Sequence, residues 1–204
     1  MRIMLDEKDG ELAVRFARSV IESTVRTGSY DSNRVQLPDV FETKSGAFVT
    51  ILGFPAHTLR GCIGFTEPVY PLRLAILNAA VESAISDPRF DPVGEEELQS
   101  IIVEVSILSK PEPVRVKSQW EIPGKILVGK HGVIVERGRF RGLLLPQVAA
   151  EEGWDSEEFV AQTCWKAGLP EDSWKDPKVT VYTFEADIFS EVEPGGAVRR
   201  RKTV

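Results

Sequence analysis

The run Ile101-Ile102-Val103-Glu104-Val105-Ser106-Ile107-Leu108 sets the tightest limit on how this chain can fold. Successive side chains of an extended strand point to opposite sides, so Ile101, Val103, Val105 and Ile107 share one face and Ile102, Glu104, Ser106 and Leu108 the other. Both faces are largely apolar, which makes the segment an interior strand. Glu104 stands out within it, because an unpaired carboxylate among apolar neighbours is costly. It reads either as the ion-pair partner of Arg60 or Arg89, or as a catalytic carboxylate.

Helical periodicity flanks this strand pattern. Leu12, Phe16 and Val20 recur every four residues, with Ala13, Ala17, Ile21 and Val25 widening the stripe, and Gly28 supplies a stop. A polar connection from Ser29 to Asp39 leads to a strand over Ala47–Phe54. After a turn through Pro55 to Thr58 comes the glycine-flanked stretch Leu59-Arg60-Gly61-Cys62-Ile63-Gly64, read as a second strand. Pro71 opens a helix whose Leu72, Ala75, Ile76, Ala79, Ala80 and Ser83 form a small-residue face. Asp87-Pro88-Arg89-Phe90 must end it, since proline disfavours helical geometry in the residue before it. Beyond a proline-broken loop, Lys110 to Pro123, a hairpin turns near Gly138 between Val133–Glu136 and Arg141–Leu145. Asp155 caps a helix with Glu158 as its box partner, Gly168-Leu169-Pro170 ends it, and Val179–Ile188 is a last strand. Strands and helices alternate loosely, so the expected class is α+β, with mixed sheets and flanking helices.

Composition narrows the function classes. The 204 residues carry a formal charge of −6 and 42% hydrophobic residues, a globular balance for one domain or two closely packed lobes. The acidic balance argues against bulk nucleic-acid binding, which relies on neutralising many phosphates. Arg199-Arg200-Arg201-Lys202, after Pro194-Gly195-Gly196, reads as a solvated, flexible basic tail over 194–204. Met1 to Gly10 contains no apolar run and no stretch approaches a membrane span, so a cytoplasmic protein without membrane contact is expected. The two cysteines, Cys62 and Cys164, fit reduced thiols better than a disulfide framework.

The chemistry-bearing residues cluster around the glycine-flanked stretch. On a strand Arg60 and Cys62 face the same side, and a guanidinium beside a thiol favours the nucleophilic thiolate. Gly61 and Gly64 remove bulk, so a ligand or another backbone can approach. The alternative is a buried small side chain with glycines that relieve packing. A metal set drawn from His57, Cys62, His131 and Cys164 lacks the short paired spacings of structural zinc sites. Walker, dinucleotide G-x-G-x-x-G, H-E-x-x-H and G-x-S-x-G motifs are absent, so the common ATPase, dehydrogenase, zincin and α/β-hydrolase mechanisms lose support, and the sequence leaves any cofactor unknown. Arg137-Gly138-Arg139-Phe140-Arg141-Gly142 reads as a charged hairpin tip.

The string Leu59-Arg60-Gly61-Cys62-Ile63-Gly64 resembles the signature of the AMMECR-type domain family. Asp87-Pro88-Arg89-Phe90, Ile102–Ser106, Gly129-Lys130-His131-Gly132, Leu145–Ala149, Gly153-Trp154-Asp155 and Thr163–Leu169 match the same pattern in the same order. The resemblance runs to about Glu191. It implies a two-lobed α+β domain over residues 1–193, a cytosolic setting and a link to Memo-type or radical-SAM protein partners. It directs attention to Arg60, Cys62, Arg89, Glu104, His131, Thr163, Cys164 and Lys166. As an enzyme or enzyme accessory subunit, the chain would use Cys62, His131 and Glu104 as catalytic residues. Arg60, Gly61, Gly64, Arg89, Thr163 and Lys166 would bind substrate. Two other functions stay open: a non-catalytic module for an anionic metabolite or nucleotide, and a scaffold that docks onto a partner protein.

Overall fold

The computed structural model describes residues 5–30 and 35–201, and part of the Ser29–Asp39 connection lies outside them. The chain divides into two compact units, residues 1–110 with 187–201 and residues 111–186 with 202–204.

In the first unit, α1 (Glu7–Thr27) starts where Asp6 accepts the Asp9 N–H and stops at Gly28, whose φ of 72° is the left-handed geometry glycine adopts without cost. Its buried face is Ala13, Val14, Phe16, Ala17, Val20 and Ile21. Then come β1 (Gly46–Gly53), β2 (Thr58–Phe65), α2 (Leu72–Ile85) and β3 (Ile101–Leu108). All eight positions of β3 are buried, as an interior strand requires. β1 lies between β2 and β3, antiparallel to both, and β2 is the outer strand. The core face carries Ala47, Val49 and Ile51 of β1 opposite Ile107, Val105 and Val103 of β3, packed with the buried residues of α1 and α2. Leu72, Ala75, Ile76, Ala79, Ala80 and Ser83 all face inward on α2, the small-residue face expected from the sequence.

The second unit contains β4 (Glu112–Pro113), β5 (His131–Arg137), β6 (Phe140–Leu144), α3 (Pro146–Glu152), α4 (Ser156–Lys166) and the first half of β7 (Thr180–Glu191). β5 pairs antiparallel with β6 and β7, and the β5–β6 turn passes through Gly138 at φ 58°. Asp155 caps α4 by accepting the Glu158 N–H at 2.9 Å. The Lys110–Pro123 segment holds the two-residue β4, which pairs with β7. The sequence reading passed over α3, although Pro146 at its first turn and Gly153 at φ 72° mark both ends.

The second half of β7 belongs to the first unit, where Phe189–Glu191 pairs with β8 (Val198–Arg200). Up to Arg201, the last described residue, this corrects the flexible basic tail expected over 194–204. Val198–Arg200 is a strand, and Arg200 bonds to Glu7, Asp187 and the Leu5 carbonyl. Those acidic partners, Glu7 at 193 positions and Asp187 at 13, convert a basic run into an anchored one. Lys202 lies outside the described residues. Among the described residues, no helix is long and apolar enough to cross a membrane.

Candidate functional site

The face of the first unit's sheet that is turned away from α1 and α2 carries the candidate site. Pairing sets Thr50 of β1 opposite Cys62 of β2 on one side and opposite Glu104 of β3 on the other. Cys62, Thr50 and Glu104 therefore form one cross-strand row. Two of the three expected catalytic residues share this row, although 42 positions of sequence separate them. With strands about 4.8 Å apart, their Cα atoms stand roughly 10 Å from each other.

Cys62 is half-buried and its environment is specific. The Thr50 hydroxyl donates to its Sγ at 3.4 Å. Its main-chain N–H donates to Asp87 Oδ2 at 2.9 Å, and its carbonyl accepts from Arg89 Nη2 at 3.2 Å. Both main-chain groups thus point away from β1, so Thr50 and Cys62 are a non-hydrogen-bonded pair, the kind in which side chains approach more closely. The Asp87–Arg89 pair takes the place of a neighbouring strand at this position. Asp87 also accepts from Arg89 N, Nε and Nη2, at 3.1, 2.9 and 2.7 Å. With its side chain 2% exposed, Asp87 is held well below the usual carboxylate range, first by the Arg89 side chain and further by the N–H groups of Cys62 and Arg89. Arg89 is correspondingly fixed as a cation, mainly by Asp87, with an ionised Cys62 adding to the effect.

Arg60 has a different place from the one expected. The β1–β2 register shifts between Ile51, opposite Gly61, and Leu52, opposite Leu59, which leaves Arg60 as the extra residue of a bulge. Plain alternation with Cys62 is broken there. The Arg60 guanidinium forks onto Glu97 at 2.7 and 2.9 Å and donates to the carbonyls of Asp91 and Pro92. Four of its five donor hydrogens are committed to protein. The expected ion pair of Glu104 with Arg60 or Arg89 is likewise replaced. Arg60 serves Glu97, Arg89 serves Asp87, and Glu104, 1% exposed, accepts from Arg201 at 2.9 Å. Ser106, the next residue on the same face of β3, is fully buried with no hydrogen-bond partner among the described residues.

The two glycines make room for protein. A Cβ on Gly61 would stand 2.3 Å from the Ser83 carbonyl oxygen. That approach lets Ser83 Oγ accept the Ile63 N–H and donate to the Val49 carbonyl, each at 2.8 Å, tying α2 to both strands. A Cβ on Gly64 would meet the Ala47 carbonyl oxygen and the Phe48 ring at 2.4 Å.

His131, Thr163, Cys164 and Lys166 belong to the second unit. His131 opens β5 and its Nδ1 accepts the Leu127 N–H at 3.2 Å, while the Lys125 carbonyl also engages the ring. Burial, reinforced by Lys130, pushes its imidazolium pKa down against the opposing pull of Glu185. Thr163 is buried and donates back to the Phe159 carbonyl at 2.7 Å. Cys164 lies in the apolar core of this unit, and burial pushes its thiol up to about 11. Lys166 is exposed in the last turn of α4. A cleft of about 360 Å³ in the same unit is lined by Asp155, Glu157, Glu158, Glu171, Asp172 and Lys175 among others, and includes none of the residues selected from the sequence. Among the described residues, no group of three or more His, Cys, Asp or Glu is placed to hold a metal ion.

Sequence reasoning named Arg89 but missed Asp87, Thr50 and Arg201. Asp87 was visible as a helix-ending residue and within the matched Asp87–Phe90 segment but not as a site residue, because its reach to Cys62 spans 25 positions.

Residues 14–189 match the AMMECR1 family model. The chain is 52% identical over 198 residues to a protein of Thermococcus gammatolerans, covering 96% of each. It is 48% identical over 199 residues to one of Methanocaldococcus jannaschii, covering 98% of each. A crystal structure of an uncharacterized protein from Pyrococcus horikoshii superposes with a TM-score of 0.94 at 47% identity, covering 97% of this chain and 98% of that one.

Proposed function

The chain belongs to the AMMECR1 family, and on that premise we propose that it performs cysteine-dependent chemistry on a small molecule, with Cys62 as the reactive thiol. It acts either by itself or as the thiol-bearing subunit of a larger enzyme. The observation that carries the reading is the hydrogen bond from Thr50 to Cys62 Sγ, in a residue whose main chain is clamped on its other side by Asp87 and Arg89. A hydroxyl that donates to sulfur favours the thiolate, and so does a nearby guanidinium. The clamp fixes the strand that bears the thiol, which keeps the nucleophile in one position relative to a bound substrate.

The row Cys62–Thr50–Glu104 separates two roles. Glu104 stands two strands from Cys62 with its carboxylate held by Arg201, which argues against its taking the thiol proton directly. At 1% exposed and paired with Arg201, it braces the row from within, while Cys62 engages the electrophilic end of the substrate. Arg60 contributes by bracing the bulge, since its fork is occupied by Glu97. That commitment weakens the competing picture in which Arg60 is the principal anion-binding group.

The test is the pH dependence of Cys62 alkylation by iodoacetamide, followed by mass spectrometry. Cys164, fully buried, is the internal control. The expected midpoint lies below the roughly 8.5 of an unperturbed thiol. A midpoint at or above that value overturns the proposal.

A further inference from the structure

We infer that the substrate of this thiol is a small anion, and that Arg89 binds its carboxylate or phosphate group beside Cys62. The inference rests on the reading of Cys62 as the reactive thiol and adds the class of molecule it acts on.

The argument is a count of donors. A guanidinium offers five N–H groups in a rigid fork. In Arg89, Nε donates to Asp87 Oδ1, and Nη2 divides its two hydrogens between Asp87 Oδ2 and the Cys62 carbonyl. The two hydrogens of Nη1 have no partner among the described residues, and the side chain is 46% exposed. Arg60 presents the opposite case, with Nε, Nη1 and Nη2 all engaged by Glu97, Asp91 and Pro92. Of the two arginines close to the glycine-flanked strand, Arg89 is the one with a nitrogen left to offer.

Its placement suits a binding role. Nη2 touches the main chain of Cys62, so Nη1 is one guanidinium width from the residue bearing the thiol. Asp87 fixes the orientation from the Nε side, and the ring of Phe90 lies 5.4 Å from the guanidinium carbon. A group held this way is preorganised, so little side-chain freedom remains to be lost when an anion binds. Asp87 does neutralise much of the cation. The two remaining N–H groups, close to the half-buried thiol of Cys62, still give directional recognition of an oxyanion.

The experiment compares two alkylating agents on the wild-type protein at fixed pH and ionic strength. Iodoacetate carries a carboxylate and iodoacetamide is its neutral counterpart. Their rate ratio at Cys62 is read against the ratio for N-acetylcysteine. The expected ratio exceeds that of the free thiol by about fivefold, the upper end of what an exposed arginine–carboxylate contact supplies. Inorganic phosphate should slow iodoacetate and leave iodoacetamide unchanged. Arg89→Gln should return the ratio to the free-thiol value, and Arg89→Lys should keep part of the preference.

A wild-type ratio no higher than that of N-acetylcysteine overturns the inference, whether or not either variant folds. A high ratio that survives Arg89→Gln also overturns it, because the selecting charge would then lie elsewhere. Fast reaction with both reagents at an ordinary ratio sinks the anion inference but keeps the thiol reading. An ordinary iodoacetamide rate and pH midpoint with a raised ratio does the reverse. A Cys62 that neither reagent modifies in the folded protein overturns both.

Discussion

Asp87 accepts the main-chain N–H of Cys62 across 25 positions of sequence, and the same carboxylate takes three N–H groups of Arg89. One buried anion therefore joins the end of α2 to the outer strand of the sheet. Its geometry leaves little tolerance for a neutral substitute. In Asp87→Asn, one of the two acceptor oxygens becomes an NH2 group that faces donors.

That substitution should cost about 2–4 kcal/mol, the range for losing charge-assisted hydrogen bonds and one partner of a largely buried ion pair. It should also change the acid limb of the stability profile. Asp87 has a folded pKa lowered below its unfolded value, so its contribution is complete above the unfolded pKa of about 3.9 and is lost as pH falls through and below that value. Urea unfolding of wild type and Asp87→Asn between pH 3 and 7 should show the two curves converging toward the acid end. Parallel curves would mean that Asp87 carries no such linkage.

Thr50→Val isolates the bond to sulfur. Valine keeps the shape and β-branching of threonine and removes the hydroxyl that donates to Cys62 Sγ. With one net hydrogen bond worth about 1 kcal/mol, iodoacetamide alkylation of Cys62 near neutral pH should slow by about fivefold. The midpoint of its pH profile should rise accordingly. An unchanged profile would leave Thr50 as a packing residue only.

The elements that could be read from sequence are those whose signals are local. β3 follows from the alternation of Ile101 to Leu108, the end of α1 from Gly28, and the start of α4 from Asp155. The candidate site was legible only in part. Cys62 and Glu104 were named from their settings, but the register that aligns them through Thr50 is a property of three paired strands. Arg60 was misjudged because a bulge interrupts the alternation on which its orientation was argued. The basic run near the C-terminus looked solvated, since Glu104 and Glu7, which receive Arg201 and Arg200, lie 97 and 193 positions away in sequence. Ion pairs of that kind appear only once the sheet has brought the partners together.

Gly61→Ala tests the close passage of β2 over α2. A methyl group there would stand 2.3 Å from the Ser83 carbonyl oxygen, which is helix backbone and cannot move aside like a flexible side chain. Relief requires β2 to shift away from α2, which strains the Ser83 bonds to Ile63 and Val49. The expected destabilisation is about 1–3 kcal/mol by urea unfolding, as for overpacking elsewhere. Cys62 is the next residue, so its alkylation profile should shift in the same variant. A neutral effect on both would show that the contact is not a constraint.

His131 provides a pH test in the second unit. Its Nδ1 accepts the Leu127 N–H, a bond that requires this nitrogen to be unprotonated, and burial is the leading cause of its lowered pKa. Because the folded pKa lies below the unfolded value of about 6.5, the unfolded chain binds the proton first as pH falls. Stability from neutral His131 is therefore complete above about pH 6.5 and is lost as pH falls through that value toward the folded pKa. His131→Gln supplies an amide that can still accept from Leu127 and does not titrate. Denaturation followed between pH 5 and 8 should show a slope for the wild type that flattens in the variant. Equal slopes would exclude His131 as its source. If the alkylation profile of Cys62 is the same in His131→Gln as in the wild type, the imidazole holds the turn from Lys125 to His131. A changed profile would return His131 to the reacting groups named from the sequence.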